Sequence, residues 1–265
     1  MTTDYLAQHR ALLDQALAAC ADRRHFSGWP ENPSSKLHGE EPPAAGKARF
    51  EALLGKPFPL EQPAESGRIG EEVSPYTREP LGISYPKVDV PALYDAIDAA
   101  AGPWAAAAPE TRVGVCLEML ARCGEQLFEN AHATMHTSGQ SYVMAFAGSG
   151  ANALDRGLEA LAYAHKAMAD VPRRGHWQRQ FGRDGVADLA KAYRLRPRGV
   201  GVVICCATFP LWNAYPALCA SLATGNPVVL KPHPRAVLPV ALVVSACRAV
   251  LEEAGFDPNL VTLVA

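Results

Sequence analysis

The sequence predicts an α/β protein, a parallel sheet of the doubly wound kind behind an N-terminal helical region. Three observations carry the prediction. From Arg198 to Lys231 the chain reads RGVGVVICCATFPLWNAYPALCASLATGNPVVLK, with no charge between the two terminal cations. Its β-branched runs, Gly199 to Ile204 and Pro227 to Leu230, flank a small-residue helical segment that ends at Gly225-Asn226. Continuous apolar strands are those buried on both faces of a parallel sheet. The pattern then repeats. Leu238-Pro239 opens a second amphipathic helix, Gly255 and Pro258 close it, and Leu260 to Val264 is a third β-type run. Strand, helix, strand, helix, strand is half of a doubly wound sheet with right-handed crossovers.

The preceding elements follow in order. Residues 3–23 form an amphipathic helix, with Leu6, Leu13, Ala16, Leu17 and Cys20 on one face. Ser27 to Pro43, with its four prolines, is loop, and Ala44 to Leu54 is a short helix ending at Gly55. Pro57 to Pro80 is rich in Pro, Gly and Glu, with edge strands around Ile69 and around Gly82 to Tyr85. Asp89 is placed to N-cap a helix carrying Leu93, Ile97 and Ala100, which breaks at Gly102-Pro103 before Trp104. Pro109-Glu110-Thr111-Arg112 starts a helix that runs to about Phe128, with proline and an acid in its first turn. A third helix reaches the HTSGQS turn at 136–141, and a long helix spans Tyr142 to Ala169.

Composition narrows the classes. The 265 residues suffice for a sizeable core, and a net charge of −2 without a Lys/Arg block speaks against nucleic acid. The 198–231 stretch matches a membrane span in length, but its Pro210, Pro216, Pro227, Asn213 and Asn226 do not suit a bilayer. The N-terminus lacks the apolar region of a secretion signal, and seven scattered cysteines read as reduced thiols, so a cytoplasmic protein is expected.

Four pieces in fixed order, the strand RGVGVVI, the turn TFPLWN, the helix ending ATGN and the strand VVLKP, resemble the start of the cofactor-binding domain of the aldehyde dehydrogenase superfamily. Upstream, Trp104, Glu110/Arg112 and Thr137-Ser138-Gly139-Gln140 match the order of helices and turn that precedes this domain, with Gln140 where the family often has lysine. The sequence is most similar to the PaaN-type branch, associated with phenylacetic acid degradation. The resemblance covers nearly the whole chain but only the first half of such an enzyme. It implies residues 1–170 as helical region, 171–196 as a protruding β-arm through which subunits associate, and 197–265 as a β-α-β-α-β core for NADP or NAD, with the catalytic domain absent. It further implies a small-molecule aldehyde as substrate, hydride transfer to the nicotinamide, and a homo-oligomer.

The candidate chemistry lies at the carboxyl ends of the strands, where open α/β sheets bind ligands. Ile204, Cys205 and Cys206 end the first strand and are expected to approach the cofactor through their backbone. Thr208 stands where the family places an oxyanion-stabilising asparagine. Threonine offers one shorter donor, and it also suits an N-cap for the next helix. Neither Cys205 nor Cys206 has a histidine beside it, and the family's nucleophilic cysteine and glutamate base would lie beyond residue 265, so the chain alone is expected to oxidise no aldehyde. Lys231 ends the second strand and, by resemblance, binds the adenine ribose. His233, Pro234 and Arg235 follow it. Pro234 replaces the glutamate that selects a free ribose, and two cations flank it, which favours NADP over NAD. His132 and His136 stand four apart, as a metal pair can, but residue 133 is Ala instead of the Glu of His-Glu-x-x-His and no third ligand is evident, so no metal is expected, and Cys116 and Cys123 read as core. A second reading, a non-catalytic nucleotide-binding or assembly module built on the same fold, is favoured by Thr208 and the early chain end.

Overall fold

The computed structural model describes residues 3–265. Its N-terminal region contains α1 (Tyr5–Gln8), α2 (Arg10–Asp22), α3 (Ser35–His38) and α4 (Glu41–Leu53). The single helix expected over 3–23 is divided at His9, whose ring reaches Glu118 at 2.6 Å while its backbone leaves the helical region. Residues 27–43 are not all loop. α3 adds a turn within them, and α4 starts ahead of Pro42 and Pro43, which sit in its first turn, where a missing N–H costs nothing.

Strands β1 (Glu65–Ile69) and β2 (Tyr85–Val88) pair antiparallel. α5 (Val90–Ala106) begins at Asp89, whose carboxylate accepts the Ala92 N–H at 3.0 Å. It does not break at Gly102-Pro103. Trp104 is fully buried, donates Nε1–H to the Leu222 carbonyl at 3.0 Å and meets the Phe256 ring edge-on, which holds the final turn in place past the proline. α6 (Pro109–Glu125) and α7 (Leu127–Ser138) follow. The long helix after the turn is interrupted: α8 (Tyr142–Phe146) passes through a π-helical turn at Ala147–Ala151 into α9 (Asn152–Ala169). Such wide turns recur at functional sites.

β3 (Arg174–Phe181) and β4 (Gly185–Ala192) form an antiparallel hairpin, exposed along nearly its whole length. Trp177 lies opposite Leu189 on one face, and the Arg179 guanidinium sits 4.9 Å over the Phe181 ring.

The sheet comprises β5 (Gly201–Ile204), β6 (Val228–Lys231) and β7 (Val261–Leu263) in the order β5-β6-β7, all parallel, with Val203 beside Leu230 and Leu230 beside Leu263. α10 (Pro210–Ala223) and α11 (Leu238–Glu253) are the two crossovers, and Gly255 takes the positive φ of 78° expected after α11. Burial on both faces holds for β6 and β7 but not for β5. Val202 and Ile204 are 55% and 76% exposed and only Val203 is buried, because one face of β5 is uncovered.

The core lies among α6, α9, α10 and α11. Cys116 and Cys123 are buried there as expected, together with Cys219, Cys247 and Tyr215. Of the seven free thiols only Cys20 and Cys206 are partly exposed. Arg112, itself buried, caps the ends of two helices, donating to the Ala223 carbonyl at 2.9 Å and the Ala107 carbonyl at 2.5 Å. His132 and His136 stack on Phe50, with centroids 5.9 and 4.9 Å away. Among the described residues no helix is long and apolar enough to cross a membrane.

Candidate functional site at the carboxyl edge of the sheet

The turn after β5 is built by long-range bonds. The Cys205 N–H donates to the Lys231 carbonyl at 3.0 Å, which carries the β5–β6 pairing one residue past the strands. The Cys206 N–H then donates to Asn213 Oδ1 at 3.2 Å, and the Phe209 N–H meets the Cys206 Sγ at 3.3 Å. The Thr208 carbonyl accepts from Gln140 Nε2, and Gln140 Oε1 in turn accepts from Ser149 Oγ at 3.2 Å. Ser149 is fully buried in the π turn, so that wide turn fixes the loop carrying Thr208. A Cβ on the neighbouring Gly148 would stand 3.2 Å from the Phe209 ring, so the loop rests on a glycine. The Tyr76 hydroxyl holds the Gln140 carbonyl from the other side at 2.7 Å.

Thr208 does not cap α10. The cap residue is Phe209, with no side-chain bond, and the Thr208 side chain is exposed without a hydrogen bond among the described residues. Cys205 is buried, and desolvation, with the neighbouring Cys206 next, pushes its thiol up to about 12 despite Lys231. At neutral pH it is not a thiolate.

Lys231 closes β6 half-buried. Its ammonium donates only to the Pro232 carbonyl at 3.0 Å, and no carboxylate pairs with it among the described residues. A small cavity of about 80 Å³ beside it brings together Lys231, Pro234, Tyr85, Val237 and Ala265, with Glu71 also in its lining and not paired with Lys231. His233 and Arg235 do not line this cavity. The Arg235 N–H donates to His233 Nδ1 at 3.1 Å, which turns this short segment back toward α11. Ile204, 76% exposed, stands on the uncovered face of β5.

Two structural residues of the site escaped the sequence. Glu72 is buried, and its Oε1 accepts the N–H groups of Val237 and Leu238 at 2.6 and 3.0 Å, while Oε2 accepts from the Tyr85 hydroxyl. It supplies the N-terminal cap that α11 lacks from its own sequence. Desolvation raises the Glu72 carboxyl above its ordinary range, against the pull of those donors, and raises the Tyr85 phenol as well. Gln62 pairs its carboxamide with both backbone groups of Leu263, at 2.9 and 2.8 Å, and so satisfies the end of β7. Neither shows a local signal, since the partners lie 165 and 201 residues away.

This arrangement defines a class, an open parallel α/β sheet with a free cation and an ordered loop at its carboxyl edge. Residues 62–265 match the aldehyde dehydrogenase family, and the chain belongs to that family. The chain is 47% identical to the structure of an NAD-dependent aldehyde dehydrogenase from Burkholderia multivorans, with a TM-score of 0.96, covering 100% of this chain and 47% of that one. It thus spans less than half of that relative's length. Two distant structures share the fold alone. A 1-pyrroline-5-carboxylate dehydrogenase from Thermus with bound NAD is 18% identical, TM-score 0.67, over 91% of this chain and 46% of that one. Betaine aldehyde dehydrogenase from Staphylococcus aureus in complex with NAD+ is 19% identical, TM-score 0.60, over 84% and 43%. Among curated proteins none matches.

Proposed function

We propose that this chain is the nicotinamide-dinucleotide-binding part of an aldehyde-oxidising dehydrogenase. The observation that carries the reading is Lys231, a cation left without a carboxylate partner at the carboxyl edge of a parallel sheet, beside a small cavity. A free ribose hydroxyl or phosphate is what such a group suits. The family, and a 47% identical structure described as NAD-dependent, support it. The residues fit the cofactor. Lys231 would hold the adenine ribose, with Pro234 beside it and His233 and Arg235 close in sequence. The backbone of Ile204, Cys205 and Cys206 would run past the dinucleotide. When bound, the dinucleotide supplies a hydride acceptor.

Thr208 occupies the oxyanion-donor position, on a loop that Gln140 keeps in place. The buried, protonated Cys205 supplies no nucleophile, and Cys206 has no histidine beside it in the sequence, so the 265-residue chain by itself is expected to turn over no aldehyde. The substrate is an aldehyde of aromatic degradation, a reading that rests on the resemblance of the sequence to the PaaN-type branch. The protein works in the cytoplasm and assembles through the 171–196 arm as a homo-oligomer.

Isothermal titration of NADP and NAD against the wild type, Lys231→Ala and Arg235→Ala tests the cofactor assignment. NADP is expected to bind more tightly than NAD, because position 234 carries no acid and Arg235 follows it in the chain. Lys231→Ala is expected to lose about tenfold or more, the scale of one charge-assisted contact. Binding unchanged by Lys231→Ala overturns the assignment, and NAD binding as tightly as NADP overturns the phosphate preference.

A further inference from the structure

A second cavity, of about 540 Å³, lies at the root of the arm, where α5 ends, α6 begins and the chain returns from β4. Its walls are the alanines 105–108 with Met168 and Leu195, and its charged lining is entirely cationic: Arg112, Arg173, Arg194 and Arg196. Arg173 is bound to Glu110. Arg194 and Arg196 are exposed and make no ion pair or side-chain hydrogen bond among the described residues. Arg112 is 4% exposed and has no carboxylate within ion-pair distance. Its Nε and Nη1 reach helix-end carbonyls, but its Nη2 meets only the Met168 sulfur, at 3.8 Å. A buried guanidinium ordinarily has an anion, and its planar fork matches one that is itself planar.

We propose that this cleft binds a small organic carboxylate. Its apolar body would lie on the alanine methyls and Met168, and its head would meet Arg194 and Arg196 with Arg112 Nη2 behind. A mostly apolar cleft of several hundred Å³ with a few convergent polar groups is the ordinary form of a small-molecule site. Inorganic phosphate would use the guanidiniums and leave the apolar wall in water. The site is distinct from the sheet edge and independent of the dinucleotide reading.

Isothermal titration of the full 265-residue chain at low salt tests it, with benzoate and octanoate as probes and benzamide and inorganic phosphate as controls. One saturable site is expected for benzoate or octanoate, with benzamide and phosphate at least tenfold weaker. Arg194→Gln/Arg196→Gln changes only exposed side chains and is expected to keep the melting temperature and lose at least tenfold in affinity, the scale of about 1.4 kcal/mol. Ala106→Leu, which fills the cleft from an exposed helical position, is expected to weaken octanoate more than benzoate. The proposal is overturned if neither carboxylate binds at millimolar concentration, if benzamide or phosphate matches them, or if the double variant binds as well as the wild type.

Discussion

His132 and His136 show how a residue's surroundings set its chemistry. Both rings lie against Phe50, and His136 Nδ1 meets Ser74 Oγ at 2.8 Å. Burial lowers both imidazoles below their ordinary value, and for His132 the neighbouring His136 and Lys47 add to it, against Glu51. The folded state therefore favours the neutral rings. The stability they contribute is complete above about pH 6.5 and is lost as the pH falls below that, since the unfolded chain binds the protons more readily. Denaturant midpoints at pH 7.5 and 5.5 should fall more for the wild type than for His132→Gln/His136→Gln, and equal slopes would refute this account. Residue-scale legibility in the sequence was uneven. Lys231 stood out because it ends a charge-free strand. Glu72 and Gln62 did not, because a side chain that caps a helix 165 residues away, or pairs with a strand end 201 residues away, leaves no pattern of spacing.

At the scale of elements, the period of the apolar residues located nearly every helix, and the misreadings came from proline and from small residues. Pro42 and Pro43 read as loop but serve in a helical first turn, and Pro103 is carried by the anchoring of Trp104. Nothing in Ala-Gly-Ser-Gly-Ala distinguishes a π turn from an ordinary one until Ser149 is seen to reach Gln140. The contact of α9 with α10 depends on another small residue. A Cβ at Gly157 would lie 3.0 Å from Leu120 Cδ2, 3.1 Å from Tyr215 Cβ and 3.3 Å from Cys219 Sγ. Gly157→Val should therefore force the two helices apart and cost about 1–3 kcal/mol, the usual penalty of overpacking. A denaturant midpoint equal to the wild type would show that the helices yield freely.

For the whole molecule, the arm is separable from the core. One face of the hairpin carries Trp177, Phe181 and Leu189, each 39–51% exposed, with Arg179 and Lys191 over the two rings, and the other carries the paired His176 and Asp188 beside the exposed Val186. A protruding ribbon with large apolar side chains left exposed suits association between copies. Replacing residues 175–191 by a short turn should yield a smaller species by light scattering while the core melts at an unchanged temperature. A wild type and a variant of equal size would remove the arm from assembly.

The distribution of the seven thiols turns the chain into its own unfolding counter. An alkylating reagent meets Cys20 and Cys206 on the native surface, whereas the other five are screened by the helices and the sheet. Mass spectrometry of chains labelled for graded times should show a fast population carrying two adducts and a slow one carrying seven. Four of the shielded sulfurs, Cys116, Cys123, Cys219 and Cys247, sit on three helices that meet in one core, so they should become reactive together. The rate of that final jump measures how often the interior opens, with no added probe and no change to the sequence. Chains caught at four to six adducts would reveal instead that individual helices detach on their own, whereas a third adduct alone would report the loop that carries Cys205.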